Sequence, residues 1–160
     1  MSREYELDEI DYRILALLMQ DAKMPYTEIA RQIHVSGGTV HVRMSRLEEL
    51  GVVRRATLEL DLTKLGFSMQ AFVGVFLQKN SLYQEVITAL KKILEVTDAY
   101  ATTGTYGLFL RLVCRDTQHL RAVLHDQVMM IEGVERTETL ILLDQAFSRS
   151  VQLDSYAPQQ

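Results

Sequence analysis

After Gly51 the apolar period of the chain changes, and the order it then follows admits few folds. Ala71–Leu77 alternates as a strand, and Leu82–Leu94 carries Val86, Leu90, Ile93 and Leu94 on one face of a helix. Val96–Thr102 reads as a second strand, Gly104 as a turn and Tyr106–Cys114 as a third strand. Leu120–Ile131 follows as a helix with Leu120, Val123, Leu124 and Val128 inward, and Val134–Leu143 is the last strand. This is β-α-β twice over, the ferredoxin-like order, with both helices on one face of a four-stranded sheet. The opposite face would carry Phe72, Phe76, Tyr100, Phe109 and Leu140. A bare apolar sheet face normally finds a partner, so a homodimer with sheets packed face to face about a twofold axis is expected.

Before Gly51 the spacing is helical throughout. Ile10, Ile14, Leu17 and Leu18 form one stripe behind a candidate N-cap, Asp8. Pro25 interrupts, and a short helix over Thr27–Ile33 would bury Ile29, Ala30 and Ile33. A third helix, capped by Ser36 and ending near Leu50, would bury Val40, Met44 and Leu47, with Gly51 placed to stop it. Val53–Leu60 alternates and is expected as a strand or wing. The expected fold class is α+β, a winged-helix-like helix-turn-helix domain over residues 1–60 and a ferredoxin-like βαββαβ domain over 71–150. A connector at 61–70 and a tail at 151–160 complete it.

The composition excludes several classes. The 160 residues are 48% hydrophobic and 24% charged, with a formal charge of −4, and one or two domains fit that length. The N-terminal MSREYELDEID has no apolar core of a secretion signal, and no apolar run reaches the roughly 18 residues of a membrane span. A cytoplasmic protein without membrane contact is expected. A single cysteine, Cys114, leaves no intrachain disulfide or multi-thiolate zinc site, and it is read as a small, partly buried hydrophobe. The four histidines form no metal-ligand motif, and no nucleophile elbow, P-loop or dinucleotide fingerprint is present. The expectation is therefore no catalytic residue, no metal and no cofactor.

Two short helices joined by a tight turn, the second longer and basic, form a helix-turn-helix. With Val40, Met44 and Leu47 inward, Gly38, Val42, Ser45 and Arg46 point outward, flanked by Thr39 and Arg43. From Arg31 to Arg55 there are five Arg and two His, and Glu48 and Glu49 stand at the far end of the helix. That local field suits phosphates although the whole chain is acidic. Charge alone would fit a three-helix bundle with a solvated basic face. Turn spacing, cap, basic face and wing together favour double-stranded DNA, with Ser36, Gly38, Thr39, Val42, Arg43, Arg46 and Arg54 as the contact set. Val42 is either an ordinary exposed hydrophobe or a contact for a thymine methyl.

The runs YTEIARQIHVSGGTVHVRMSRLEELGVV, VTDAYATTGTYGLFLRLVCRD and VERTETLILL resemble the Lrp/AsnC (feast/famine) transcription regulators over about residues 6–150. Within that family GTVHVR, AYATTGTYGLF and TETLILL are most like its AsnC branch. The resemblance implies a C-terminal domain for ligand binding and oligomerisation, an amino-acid effector, and dimers assembling into octamers. The chain also departs from the family. His34 stands in the turn where Gly is frequent, a position liable to positive φ that His tolerates. Gly37-Gly38 opens the recognition helix at about 1 kcal/mol each in helix propensity. The turn Thr103-Gly104-Thr105-Tyr106 lacks the Asp of many members, which favours asparagine over a leucine-type effector.

An amino acid needs donors for its carboxylate and acceptors for its ammonium. Thr102, Thr103, Gly104 and Thr105 offer backbone N–H groups and hydroxyls, with Tyr100 and Tyr106 as walls, and Gly104 is expected to need positive φ or close approach. The resemblance adds the last strand of a neighbouring subunit, where alternation puts Thr137 and Thr139 on one face and Glu138 on the other. Thr137 and Thr139 are taken as effector residues, and Glu138 as a solvated or interface charge. The alternative from another class is an enzyme subunit resembling sirohaem decarboxylases on the same scaffold, which would need His or Arg gathered in a large cavity.

Overall fold

In the computed structural model, which describes residues 6–79 and 82–156, Asp8 starts the first helix through a reciprocal capping box. Its carboxylate accepts from the Asp11 N–H at 3.0 Å while the Asp11 carboxylate accepts from the Asp8 N–H at 3.1 Å. Helix α1 (Glu9–Gln20) buries Ile14 completely. Helix α2 (Tyr26–Ile33) follows Pro25, and α3 (Gly37–Glu49) follows a three-residue turn. Ile29, Ala30 and Ile33 of α2 and Val40, Met44 and Leu47 of α3 close a small core with Ile14.

The sheet comprises β1 (Met69–Leu77), β2 (Val96–Ala101), β3 (Leu108–Cys114) and β4 (Val134–Ile141), all antiparallel, in the order β2-β3-β1-β4. Helix α4 (Tyr83–Leu90) and helix α5 (Thr117–Val123, continued by a π-helical turn, Leu124–Val128) supply Val86, Leu90, Leu120, Val123 and Val128 to its core. Ala71, Val73, Val75, Leu108, Leu110 and Leu112 are fully buried, so odd residues of β1 and even residues of β3 face that core. Fold class and strand faces thus follow the apolar period.

The chain divides into two compact units, Met1–Leu58 with Phe147–Gln160, and Glu59–Ala146. The boundary falls two residues before the expected 60/61. The sheet unit ends at Ala146 rather than 150, because Leu153–Tyr156 forms a 3₁₀ turn packed on α1. Residues 1–5 of the expected first domain and 157–160 of the expected tail lie outside the described residues. Val53–Leu60 is irregular rather than a wing strand: among the described residues no strand pairs with it, and Leu58 and Leu60 are exposed. Leu94, expected inward, is 90% exposed, because α4 ends at Leu90 and the turn that follows points Ile93 to the core instead. Cys114 is fully buried, and burial, with Glu95 and Asp116 nearby, pushes its thiol up to about 11. Among the described residues no helix is long and apolar enough to cross a membrane.

Candidate DNA-binding and effector surfaces

The helix-turn-helix turns on one backbone angle. His34 ends α2 in the left-handed region (φ 59°, ψ 43°), and the Val35 N–H reaches back to the Ala30 carbonyl at 3.0 Å. Ser36 then caps α3, its Oγ accepting from the Thr39 N–H at 3.0 Å and sharing a 2.8 Å hydroxyl bond with Thr39 Oγ1. Ser36 and Thr39 therefore hold the first turn of the helix as well as edging its outer face. Gly38, Val42, Ser45 and Arg46 are all exposed on α3, with Val42 at 68%. Neither Gly37 nor Gly38 is sterically compelled, since a Cβ there would meet only ordinary contacts at 3.9 and 3.7 Å. What they provide is a smooth helix entrance, open to the approach of a phosphate or base edge.

Two members of the basic set are paired with carboxylates, one partly buried and one exposed. Arg43 Nη1 lies 2.7 Å from both Asp8 carboxylate oxygens and 2.8 Å from Asp11 Oδ1, with its side chain only 23% exposed. Arg31 pairs with Glu28 at 2.7 Å. Arg54 stands beyond α3 in the irregular segment, where it lines a groove with Leu15, Met19 and Val53 rather than extending the helix face. The stripe Gly38–Val42–Arg46 is thus brought together, while Arg43 and Arg54 depart from it. Asp8 and Asp11 lie 35 and 32 residues from Arg43 in sequence, beyond the reach of any local pattern. Only the capping-box spacing of the two acids is visible locally.

The open face of the sheet carries a continuous aromatic row. Phe72 stacks on Phe109 (centroids 5.4 Å), Phe109 meets Tyr106 (5.8 Å), and Tyr106 meets Phe76 edge-on (5.1 Å). Arg136 lies 3.3 Å above the Phe76 ring. The Tyr106 ring lies directly over Gly74, where any Cβ would come within 2.4 Å of it. Hydrogen bonding toward the nearby Glu138 carboxylate first, then burial and the Glu138 charge, raise the Tyr106 phenol above its ordinary value against the opposing pull of Arg136. A glycine inside an otherwise apolar strand is the sequence sign of such close approach, and it points to Gly74.

The register divides the expected effector residues of one protomer between the two faces of the sheet. Val75 pairs with Thr137 and Val73 with Thr139, so both threonines lie on the helix-covered face. Gly74 pairs with Glu138 and Phe109 with Tyr100, placing Glu138 and Tyr100 on the open face with Tyr106. One protomer therefore presents Tyr100, Tyr106 and Glu138 together, and Thr137 and Thr139 apart from them. The reading of Gly104 is corrected. Its φ lies outside the left-handed region and nothing stands within 4 Å of a Cβ built on it, so neither backbone angle nor contact demands glycine. Thr102, Thr103, Gly104 and Thr105 are all exposed, and the Thr102 hydroxyl donates to the Tyr106 carbonyl, bracing the turn.

The Lrp/AsnC ligand binding domain matches residues 70–152 and the AsnC-type helix-turn-helix domain residues 7–48. The chain is 35% identical to the regulatory protein AsnC of Escherichia coli over 92% of its length and 97% of that protein's. It is 37% identical to a helix-turn-helix transcriptional regulator of Pyrococcus horikoshii over 88% of this chain and 89% of that one. The solved structure of Escherichia coli AsnC superposes with a TM-score of 0.88, covering 92% of this chain and 99% of that one at 34% identity. A Neisseria meningitidis transcriptional regulator solved as an L-Met complex shares the fold, with a TM-score of 0.85 at 22% identity over 89% of this chain and 94% of that one. Sequence, turn geometry and sheet order converge: the chain belongs to the Lrp/AsnC family of helix-turn-helix transcriptional regulators.

Proposed function

We propose that the protein binds operator DNA through the exposed stripe of α3 and that its affinity is tuned by a small amino acid, asparagine first. The DNA half of this reading rests on Gly38, Val42 and Arg46 standing exposed on a capped helix behind a left-handed turn. The effector half rests on Tyr106 and Glu138 meeting on the open sheet face.

That pair supplies what an amino acid requires. Glu138 accepts from the ammonium, and the N–H groups of the Thr103–Thr105 turn receive the carboxylate. A carboxamide needs a donor and an acceptor at once, which threonine hydroxyls provide, whereas an aliphatic side chain would leave them unpaired. Thr137 and Thr139 would contribute only from another subunit. The amino-acid class is supported by the L-Met bound to the Neisseria regulator. The aromatic row, with Tyr100 and Leu140 about half exposed, supports a sheet-to-sheet homodimer, while assembly of dimers into an octamer and a cytoplasmic location follow from the family alone.

Calorimetric titration with asparagine, glutamine and leucine tests the effector, and a gel shift with and without asparagine tests the coupling. Asparagine should bind, and the factor by which it changes DNA affinity should equal the factor by which DNA changes its own. Glu138→Gln should weaken that binding. Leucine binding in preference to asparagine would reassign the effector, and binding of none would remove it. Light scattering of Phe109→Asp, which places an unpaired charge among the aromatics, should show the dimer lost. A clean folded dimer would remove the face-to-face arrangement.

A further inference from the structure

Arg43 is the cation nearest the middle of α3, where a DNA-binding helix gains most from positive charge, yet its guanidinium is directed away from that use. One nitrogen is within 2.8 Å of three carboxylate oxygens from two residues of a different helix. Asp11 is fully buried, and Asp8 and Asp11 are already fixed by the capping box that starts α1. A guanidinium held by one buried carboxylate and by a second that is itself tied into the capping box is held in turn, and α3 with it. The cluster sums to one negative charge, so it adds nothing to attraction for phosphate.

We propose that Arg43 is a positioning residue for DNA recognition. It contacts no DNA, and by bridging Asp8 and Asp11 it sets the rotation and tilt at which α3 presents Gly38, Val42 and Arg46. The inference rests on the DNA-binding reading above and removes Arg43 from its contact set. It carries a consequence that a phosphate contact would not. Losing Arg43 should degrade the discrimination between DNA sequences while sparing the general affinity for duplex, because the stripe remains but is misdirected.

The test compares wild type, Arg43→Gln, Arg43→Lys, Asp8→Asn and the Arg43→Gln/Asp8→Asn pair. The probes are the duplex that wild type selects from a randomised pool and a shuffled duplex of equal composition, titrated at several salt concentrations. Asn remains a good N-cap, so Asp8→Asn removes the charge while keeping the start of α1. Expected is a loss of about tenfold in affinity for the selected duplex with Arg43→Gln, a far smaller change for the shuffled one, and an unchanged salt slope. Asp8→Asn should lose in the same direction, and the double variant should be no worse than Arg43→Gln alone. Arg43→Lys, which keeps the charge and three donors but on a stem of different reach and without the planar fork, should recover part of the discrimination.

Thermal melts and circular dichroism accompany each titration. A merely structural role lowers the melting temperature and leaves the selected-to-shuffled ratio intact, which would overturn the proposal. A salt slope shallower by about 0.9 in Arg43→Gln, or tighter binding in Asp8→Asn, would show Arg43 on a phosphate and overturn it too. Either result leaves the DNA-binding reading standing. If wild type prefers no duplex over the shuffled one, that reading and this one fail together.

Discussion

The two units of this chain solve the same problem, fixing a functional surface, by opposite means. Among the described residues the sheet unit buries fourteen core side chains, all apolar or cysteine, and its polar functional groups stand outside that core. The helical unit has only seven in its main cluster, and its helices are held on one another by directional polar contacts as well: the Asp8–Asp11 capping box, the Arg43 bridge, the Ser36–Thr39 cap and the left-handed His34. Apolar packing is sensitive to loss of volume but holds no titrating group. Directional contacts depend instead on angle and charge. The sheet unit should therefore respond most to truncation, and the helical unit to backbone angle and ionisation.

The largest effect is expected from Leu110→Ala. Leu110 is fully buried at the centre of β3, and its truncation should cost about 2–5 kcal/mol, read as a shift in the denaturant midpoint. Affinity for the selected duplex per folded molecule should hold. Equal damage to DNA discrimination would show that the sheet core also sets the recognition helix, and the contrast between the units would collapse.

A smaller effect is expected from His34→Val. A β-branched residue at φ 59° meets the steric penalty of the left-handed region, about 1–2 kcal/mol. Thermal unfolding should record that loss, with discrimination between duplexes falling in step because the angle between α2 and α3 depends on the turn. His34→Gly should match or exceed wild type in stability. If Val is tolerated as well as Gly, the turn angle is not what holds the recognition helix, and the polar account of this unit fails.

How legible these surfaces are in the sequence follows from the same contrast. Period-two alternation places Phe72, Phe109, Tyr100 and Leu140 on one face, because a strand leaves side chains no other choice. The α3 stripe is equally legible from its 100° step. Three features are not. The Arg43 partners lie more than 30 residues away, and no local pattern announces a contact between helices. Alternation through the expected strand Tyr106–Cys114 sets Tyr106 with Leu108 and Leu110 toward the helices, but the strand starts at Leu108 and the Tyr106 ring crosses Gly74 toward Glu138 on the open face. Gly104 reads as a compelled glycine only until its backbone angle is seen, since glycine also occurs in turns with no steric need. Effector geometry is the less legible of the two sites, because it depends on register and side-chain reach rather than on period.

The smallest expected effect isolates the ion cluster without disturbing packing. Burial alone pushes the Asp8 carboxyl up. The hydrogen bond from Arg43, the Asp11 N–H, the Arg43 charge and the Ile10 N–H together outweigh it and hold the group below its ordinary range. A carboxylate whose folded-state pKa is depressed contributes stability that is fully present above its unfolded value, about 3.9, and is lost as pH falls through the lower folded value. Wild type should therefore lose more stability than Asp8→Asn as pH drops below about 4, and the two curves should run parallel at neutral pH. The gap will be modest, because the Asp8 side chain is 50% exposed and solvent screens its attraction to Arg43. Added salt should narrow it further. Urea titrations of both proteins across the acid range measure it. If the two curves stay parallel into acid, Asp8 does not bear on the bridge, and Asp11 alone must hold Arg43 and the recognition helix in place.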